Sequence, residues 1–223
     1  MITSASNERL KLVRKLQSES WRRKLGLFVA EGEDLVEAAR AAGVEPVELL
    51  VAGKNVEPEL LAGVSDLPHP PRVVAVYRRA DLPCNTVLLS VALWRVVDPG
   101  NVGAVVRTAG AFGGSVGLSA GCADPTSPRA LRASAGALFR VPVHGFETGG
   151  RRVALVAHGG VPLAEVDLAA PVTLVLGAER QGLPADVVAA CDQAATIATT
   201  GAVESLNVAA AAAIALYAAA GHR

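Results

Sequence analysis

The chain is poor in the residues on which covalent and metal-dependent catalysis usually depends. Only three of its 223 residues are cysteine and only four are histidine. Cys84, Cys122 and Cys191 are widely spaced and lack the close pairs of a metal site, so we expect no metal and ordinary thiols in a reducing compartment. The formal net charge is zero, with 21 basic and 21 acidic residues, so the overall charge predicts no partner.

Long apolar runs are also lacking. The N-terminus has no apolar signal core, and the alanine-rich run over residues 208–220 is too short and too weakly hydrophobic to span a bilayer. We therefore expect a cytoplasmic protein that does not interact with a membrane. Aromatic residues make up 4% of the chain and hydrophobic residues 51%, a composition typical of a tightly packed α/β protein.

The basic residues are distributed unevenly. Residues 1–24 carry seven basic side chains against two acidic ones, and from residue 81 onward every basic side chain is arginine. Arginine binds phosphate bidentately, which suits RNA, although a GC-rich genome produces the same bias. A basic helix over residues 9–24 is therefore either an RNA-binding face or an ordinary solvated surface. The candidate RNA-binding side chains are Arg14, Lys15, Arg22 and Arg23 in this helix and Arg132 further along the chain.

Strand and helix patterns divide the chain into two α/β units. Residues 1–79 predict a small unit, which begins with a helix capped at Ser6 or Asn7 and ending near Gln17. A charged, turn-rich linker follows. Residues 84–223 then alternate between strand and helix patterns, which predicts a mostly parallel sheet with helices on both faces. The predicted elements include strands over residues 115–118, 153–157 and 172–176 and a helix over residues 128–138.

Three polar turns interrupt the apolar runs of this second unit, at residues 98–107, 176–183 and 201–207. Each follows a strand-like stretch and opens a helix-like one, which is where open α/β sheets bind their ligands. The turns contribute Asn, Arg, Glu and Ser side chains and many backbone amides, but no His or Cys. Such a site suits the binding of a nucleotide-like ligand and the positioning of a hydroxyl better than covalent catalysis.

Helix-capping patterns give a plainer interpretation of two of these turns. Asn101 is predicted to cap the helix after the first turn, with Arg107 almost two turns in and able to reach back toward the loops. Ser205 is predicted as a simple N-cap. A buried helix start that carries both Ser205 and Asn207 nevertheless leaves polar groups in need of partners, and a bound ligand is one way to satisfy them. The G-x-G-x-x-G spacing of dinucleotide-binding folds is absent.

Together the three turns resemble the three motifs of the SpoU (TrmH) family of RNA 2′-O-methyltransferases, within the SPOUT superfamily. The Asn and Arg of the first motif fall on Asn101 and Arg107, the G-x-E-x-x-G-L core of the second on residues 177–183, and the S-L-N-V of the third on residues 205–208. Residues 132–142 also resemble the family. The third motif usually begins Ile-Pro-Met, whereas here it begins Ile-Ala-Thr. The N-terminal segment is similar to a ribosomal-protein-like substrate-binding domain.

The resemblance implies an α/β fold of the SPOUT type with a C-terminal trefoil knot, S-adenosylmethionine as the cofactor, and a homodimer whose site lies near the subunit interface. It implies no metal. The implied catalytic residues are Arg107, Asn101, Glu179, Ser205 and Asn207. The implied cofactor-binding residues are Leu176, Gly177, Ile197, Thr199 and Leu206, with Thr199 standing where the family usually has an apolar methionine.

The expected function is therefore the methylation of a ribose 2′-hydroxyl in structured RNA, with 23S ribosomal RNA favoured over transfer RNA by the N-terminal domain. A transfer RNA 2′-O-methyltransferase and a catalytically silent RNA-binding factor are the alternatives. Because a guanidinium essentially never deprotonates in proteins, we expect Arg107 to clamp phosphate and ribose rather than to act as the base.

Overall fold

Two β-sheets, one antiparallel and one parallel, organise the chain. The computed structural model describes residues 1–65, 67, 69–146, 149–202 and 204–221, so Val203 of the third polar turn lies outside these ranges. No helix within the described residues is long and apolar enough to cross a bilayer.

The first sheet belongs to the N-terminal unit and has the strand order β1-β3-β2, with both pairs antiparallel. The basic segment over residues 9–24 forms two helices rather than one. The first is capped by the Asn7 side chain and ends at Leu16, next to Gln17, as expected. The elements of this unit are α1 (Glu8–Leu16), α2 (Glu19–Leu25), β1 (Leu27–Glu31), α3 (Glu33–Ala41), β2 (Glu48–Val51), α4 (Pro58–Ala62) and β3 (Val73–Arg78).

The second sheet has seven strands in the order β6-β5-β4-β9-β7-β10-β8, and every pair is parallel. The chain therefore contains the mostly parallel sheet that the sequence predicts. Its elements are β4 (Leu89–Trp94), α5 (Pro99–Ala111), β5 (Ser115–Leu118), α6 (Pro128–Ser134), β6 (Val143–Gly145), β7 (Arg151–Leu155), β8 (Val161–Pro162), β9 (Val172–Gly177), α7 (Ala185–Ala189), β10 (Gln193–Thr196) and α8 (Val208–Ala220).

Central strands β4 and β9 are buried on both faces, which explains their nearly continuous apolar sequences. Val91 and Leu174 face the large core that includes residues of α5 and α8, whereas Ala92 and Val175 face a smaller cluster with Val187 of α7. Helices thus cover both faces of the sheet. Because β9 lies between β4 and β7, the carboxyl ends of β5, β4, β9, β7 and β10 follow one another along a single edge.

Helix α6 is shorter than the sequence predicts. The expected helix runs to Leu138, but α6 ends at Ser134 because Ala135 and Gly136 adopt left-handed conformations with φ of 47° and 76°. A 3₁₀ turn at Ala137–Phe139 completes the segment. Phe139 is thereby directed to the junction between the two units.

The junction is a continuous core with a buried ion pair beside it. Phe28 and Tyr77 of the first sheet pack on Phe139, with ring centroids 5.9 and 5.1 Å away. Arg22 of α2 donates from Nε to Asp124 Oδ2 at 2.7 Å, and both side chains are only 4% exposed. Arg22 therefore does not belong to an RNA-binding surface: its charge faces Asp124, and its Nη1 donates to the carbonyls of residues 16 and 17.

Candidate active site

Hydrogen bonds between side chains join the three polar turns. Asn101, in the first turn of α5, donates from Nδ2 to Glu179 Oε1 at 2.6 Å, and Glu179 lies in the loop after β9. Asn207, directly before α8, donates from Nδ2 to Asn101 Oδ1 at 3.1 Å. Both polar ends of the Asn101 amide are engaged, which fixes its orientation. Residues up to 106 positions apart in sequence therefore meet at the carboxyl edge of the sheet.

The helix caps at this site differ from the predicted ones. Asp98, not Asn101, caps α5: its Oδ1 accepts from the Asn101 backbone at 2.9 Å, and Pro99 follows as the first helical residue. Asn207, not Ser205, caps α8, accepting from the backbone amides of residues 209 and 210. Because Asp98 performs the capping, the Asn101 side chain is available to bridge the other two turns.

A cavity of about 650 Å³ opens beside this bridge. It is formed by the loops after β7, β9 and β10 and by the start of α8, and its volume is in the range of ligand sites. All five predicted cofactor-binding residues line it, as do Glu179 and Ser205. The structure thus gathers into one cavity Leu176, Gly177, Ile197, Thr199, Leu206, Glu179 and Ser205.

The loop after β9 is closed so tightly that only glycine fits at its start. A Cβ on Gly177 would overlap the backbone of Gly182 and lie 2.5 Å from the Leu183 nitrogen. Gly182 has a φ of 62°, and its amide donates to the Ala178 carbonyl at 2.8 Å. The G-x-E-x-x-G spacing therefore produces a pinched turn, which presents backbone to the cavity and projects Glu179 toward Asn101.

The groups around the cavity fit the implied cofactor. Leu155, Leu176 and Ile197 supply apolar walls suited to a purine and ribose, while the loops contribute backbone donors and acceptors. Carboxylates of Glu179 and Glu204 and the guanidinium of Arg180 also line the cavity. Both signs of charge match the ammonium, carboxylate and sulfonium groups of S-adenosylmethionine.

Arg107 lies apart from the other four predicted catalytic residues. It is exposed on α5 and lines a different cavity, of about 780 Å³, together with Arg140 and residues 134–137. Asn101 and Arg107 are six positions apart on α5, which corresponds to a rise of about 9 Å along the helix. Their side chains point in directions that differ by about 120° around the helix axis. Within one chain, Asn101, Glu179, Ser205 and Asn207 meet at one site and Arg107 does not.

Sequence reasoning missed four polar side chains that line the cofactor-sized cavity: His158, Arg180, Gln181 and Glu204. His158 directly follows the strand predicted at β7. Because ligand sites lie at the carboxyl ends of strands, this position could have indicated His158 as a site residue. Arg180, Gln181 and Glu204 stand within the recognised turns. Nothing in their residue type distinguishes them from ordinary solvated side chains.

The remaining basic candidates are exposed. Arg14 donates to the Ala5 carbonyl at 2.8 Å, and Arg23 pairs with Glu19 at 2.7 Å. The Lys15 ammonium lies 5.2 Å from the centre of the Trp21 ring. The exposed members of the predicted set are therefore Arg14, Lys15, Arg23 and Arg132.

Comparison with known proteins gives the family. Residues 88–217 match the SpoU rRNA Methylase family, and residues 7–80 match an MRM3-like substrate binding domain. An uncharacterised tRNA/rRNA methyltransferase of Synechocystis is 33% identical over 97% of this chain and 92% of the relative. The 23S rRNA (guanosine(2553)-2′-O)-methyltransferase RlmP of Bacillus subtilis is 30% identical over 97% of each chain.

A solved structure, the AdoMet-bound rRNA methyltransferase of Sinorhizobium meliloti, superposes with a TM-score of 0.87 at 28% identity, covering 99% of this chain and 97% of that one. The predicted fold class, family and enzyme class are confirmed by these similarities. The chain belongs to the SpoU rRNA methylase family.

Proposed function

We propose that the chain transfers a methyl group from S-adenosylmethionine to a ribose 2′-hydroxyl of 23S ribosomal RNA. The observation that carries this proposal is the Asn101–Glu179–Asn207 network at the mouth of a cavity sized for a nucleoside. Similarity over nearly the whole chain to a 23S ribosomal RNA 2′-O-methyltransferase supports the choice of substrate. Because its substrate is ribosomal RNA, the enzyme would work in the cytoplasm.

The cofactor would be held by the walls of the cavity, with Leu176, Ile197 and Leu206 against the adenosine and the Gly177 turn beneath it. S-adenosylmethionine supplies an electrophilic methyl group on a sulfonium. Transfer to a hydroxyl neutralises that charge, so correct alignment of the ribose contributes more than the stabilisation of new charge. Asn101 and Asn207 would orient the ribose, with Glu179 and Ser205 supporting them.

Arg107 would complete the site from a second copy of the chain. Exposed apolar side chains cover the outer surface of α5 and α8, where Tyr217 is 72% exposed and its ring lies 6.3 Å from that of Phe112. Ile214 and Ala111 are exposed on the same helices. We infer that this face forms a twofold homodimer interface. Arg107, one turn before Ala111, would then clamp the phosphate and ribose at the partner's cavity.

The trefoil knot of the family and the division of the chain near residues 79–84 are retained as predictions. For the N-terminal unit we propose an RNA-binding role through Arg14, Lys15 and Arg23 together with Arg132. Arg22 is excluded from this set, since its guanidinium is buried in the junction.

The proposal is tested with the purified chain, methyl-labelled S-adenosylmethionine, and in vitro transcripts of 23S ribosomal RNA and a pool of transfer RNAs. Ribose-methylation mapping is expected to locate a 2′-O-methyl group at one 23S position. Labelling of transfer RNA but not of 23S ribosomal RNA would show that transfer RNA is the substrate instead. Absence of S-adenosylmethionine binding by calorimetry would instead indicate the silent RNA-binding factor.

A further inference from the structure

A second cavity, of about 610 Å³, adjoins the cofactor-sized one. It is lined by residues that follow β4 (Arg95 and Val97), β5 (Ala120 and Gly121) and β9 (residues 178–181). The two cavities share the segment 178–181 of the loop after β9, which forms a wall of each. They lie side by side along the carboxyl edge, one over β5, β4 and β9 and the other over β9, β7 and β10.

Arg95 is held in an unusual backbone conformation at the end of β4. Its φ is 51°, a left-handed value that a long side chain rarely adopts and that tends to occur at functional sites. The backbone amide of Arg95 donates to the Ser119 hydroxyl at 2.9 Å, and the Arg95 guanidinium lies 5.9 Å from the centre of the Trp94 ring. The Arg95 side chain thus lies near the Trp94 ring and lines the second cavity.

The charges of this second cavity favour an anion. Arg95 and Arg180 both line it and are exposed, and neither forms an ion pair with any carboxylate of the described residues. Some other exposed arginines are paired, for example Arg129 with Asp98 at 2.9 Å and Arg40 with Glu37 at 3.5 Å. Glu179 is the acidic group in the cavity, and one of its oxygens already accepts from Asn101.

We propose that this second cavity binds the RNA backbone next to the methylated nucleotide, with Arg95 and Arg180 each contacting a phosphate. The inference rests on the proposed function and adds the path of the substrate strand. A ribose held at Asn101 and Glu179, with its methyl donor in the first cavity, has its neighbouring phosphates within reach of these two arginines. Val97, which is 68% exposed, offers an apolar surface to the adjoining base.

The test compares R95N, R180Q and the double variant with R40Q as a matched control. Asparagine is chosen at position 95 because it tolerates positive φ, so the fold is kept. Arg40 is also an exposed arginine, on α3 and outside both cavities. Binding to a 23S ribosomal RNA transcript is measured over a range of salt concentrations, together with kcat, KM and calorimetric affinity for S-adenosylmethionine.

The double variant is expected to raise KM for RNA at least tenfold at saturating S-adenosylmethionine. The slope of log K against log salt should fall by about 0.7 to 0.9 for each arginine removed. R95N should bind S-adenosylmethionine like the wild type, since Arg95 lies outside the first cavity. R40Q should leave the slope and KM unchanged.

Equal slopes and KM values for the double variant and R40Q would overturn the proposal. So would a loss of S-adenosylmethionine affinity in R95N, because Arg95 would then act on the cofactor cavity. Failure of the wild-type chain to methylate any RNA would refute the proposed function itself. That result is distinguishable, because RNA binding and its salt dependence are measured without the reaction.

Discussion

Removal of the Asp124 carboxylate should destabilise the protein more than any surface substitution. Asp124 Oδ1 accepts from the backbone and hydroxyl of Thr126 at 3.0 and 2.7 Å and lies 3.3 Å from Arg79, and Oδ2 accepts from Arg22. D124A would leave Arg22 buried without its partner. Breaking one side of a buried pair costs about 3 to 5 kcal/mol, compared with at most about 1 kcal/mol for an exposed pair.

A double-mutant cycle in urea isolates the interaction. R22M alone should cost less than D124A, because Asp124 would keep Thr126 and Arg79. R22M/D124A should recover part of the D124A loss, since the buried charge of Arg22 is then removed as well, while Arg79 is partly exposed and can be hydrated. If D124A lowers the free energy of unfolding by less than about 1 kcal/mol, which is the value of a hydrated surface pair, the Arg22–Asp124 pair does not stabilise the fold as a buried ion pair.

The same carboxylate predicts a dependence of stability on pH. Burial acts to raise the pKa of Asp124, but hydrogen bonds from Thr126 and Arg22 and the charge of Arg79 outweigh it, so the pKa is lowered in the folded state. A lowered folded pKa means that the stabilisation is complete above the unfolded pKa and is lost as pH falls through the folded one. The difference in unfolding free energy between wild type and D124N should therefore be constant near neutral pH and shrink below about pH 4. A difference that grows on acidification would contradict the assignment.

Three further predictions concern the site and the interface. G177A should abolish measurable S-adenosylmethionine binding in calorimetry, because its Cβ overlaps the opposite side of the turn, whereas G145A, with open space around it, should bind normally. N101D should lower kcat about 100-fold through misalignment, with cofactor affinity largely kept, and an unchanged kcat would exclude the bridge from the reaction. Y217E should halve the mass seen by light scattering and reduce activity in parallel, and an active monomer would remove Arg107 from the proposed site.

Much of the methyltransferase unit could be predicted from its sequence because its apolar strands and polar turns alternate clearly. Buried parallel strands such as β9 are nearly all apolar, and polar turns bound them, so the predicted strand at residues 172–176 differs from the observed one by a single residue. β5 is predicted without error over residues 115–118. The association of the three turns followed from the rule that ligand sites lie at strand ends.

Other features depended on tertiary contacts that residue types do not encode. Arg22 has the same side chain as its exposed neighbour Arg23, and only the partner at Asp124, 102 positions away, makes it a structural residue. The direction of Arg107 follows from the rotation of α5. Helix α6 ends early because Ala135 accepts a left-handed conformation that alanine seldom adopts. The domain boundary and the knot stay predictions.

The aromatic contacts of Phe28, Tyr77 and Phe139 have a consequence for the choice of RNA. Since they and the Arg22–Asp124 pair fasten the N-terminal unit to the parallel sheet, the RNA-binding surface proposed on that unit would lie at a fixed distance from the candidate active site. An RNA substrate would therefore need a folded structure that reaches both that surface and the active site. Short linear oligonucleotides that carry the target base alone should therefore be poor substrates, however well their sequence matches.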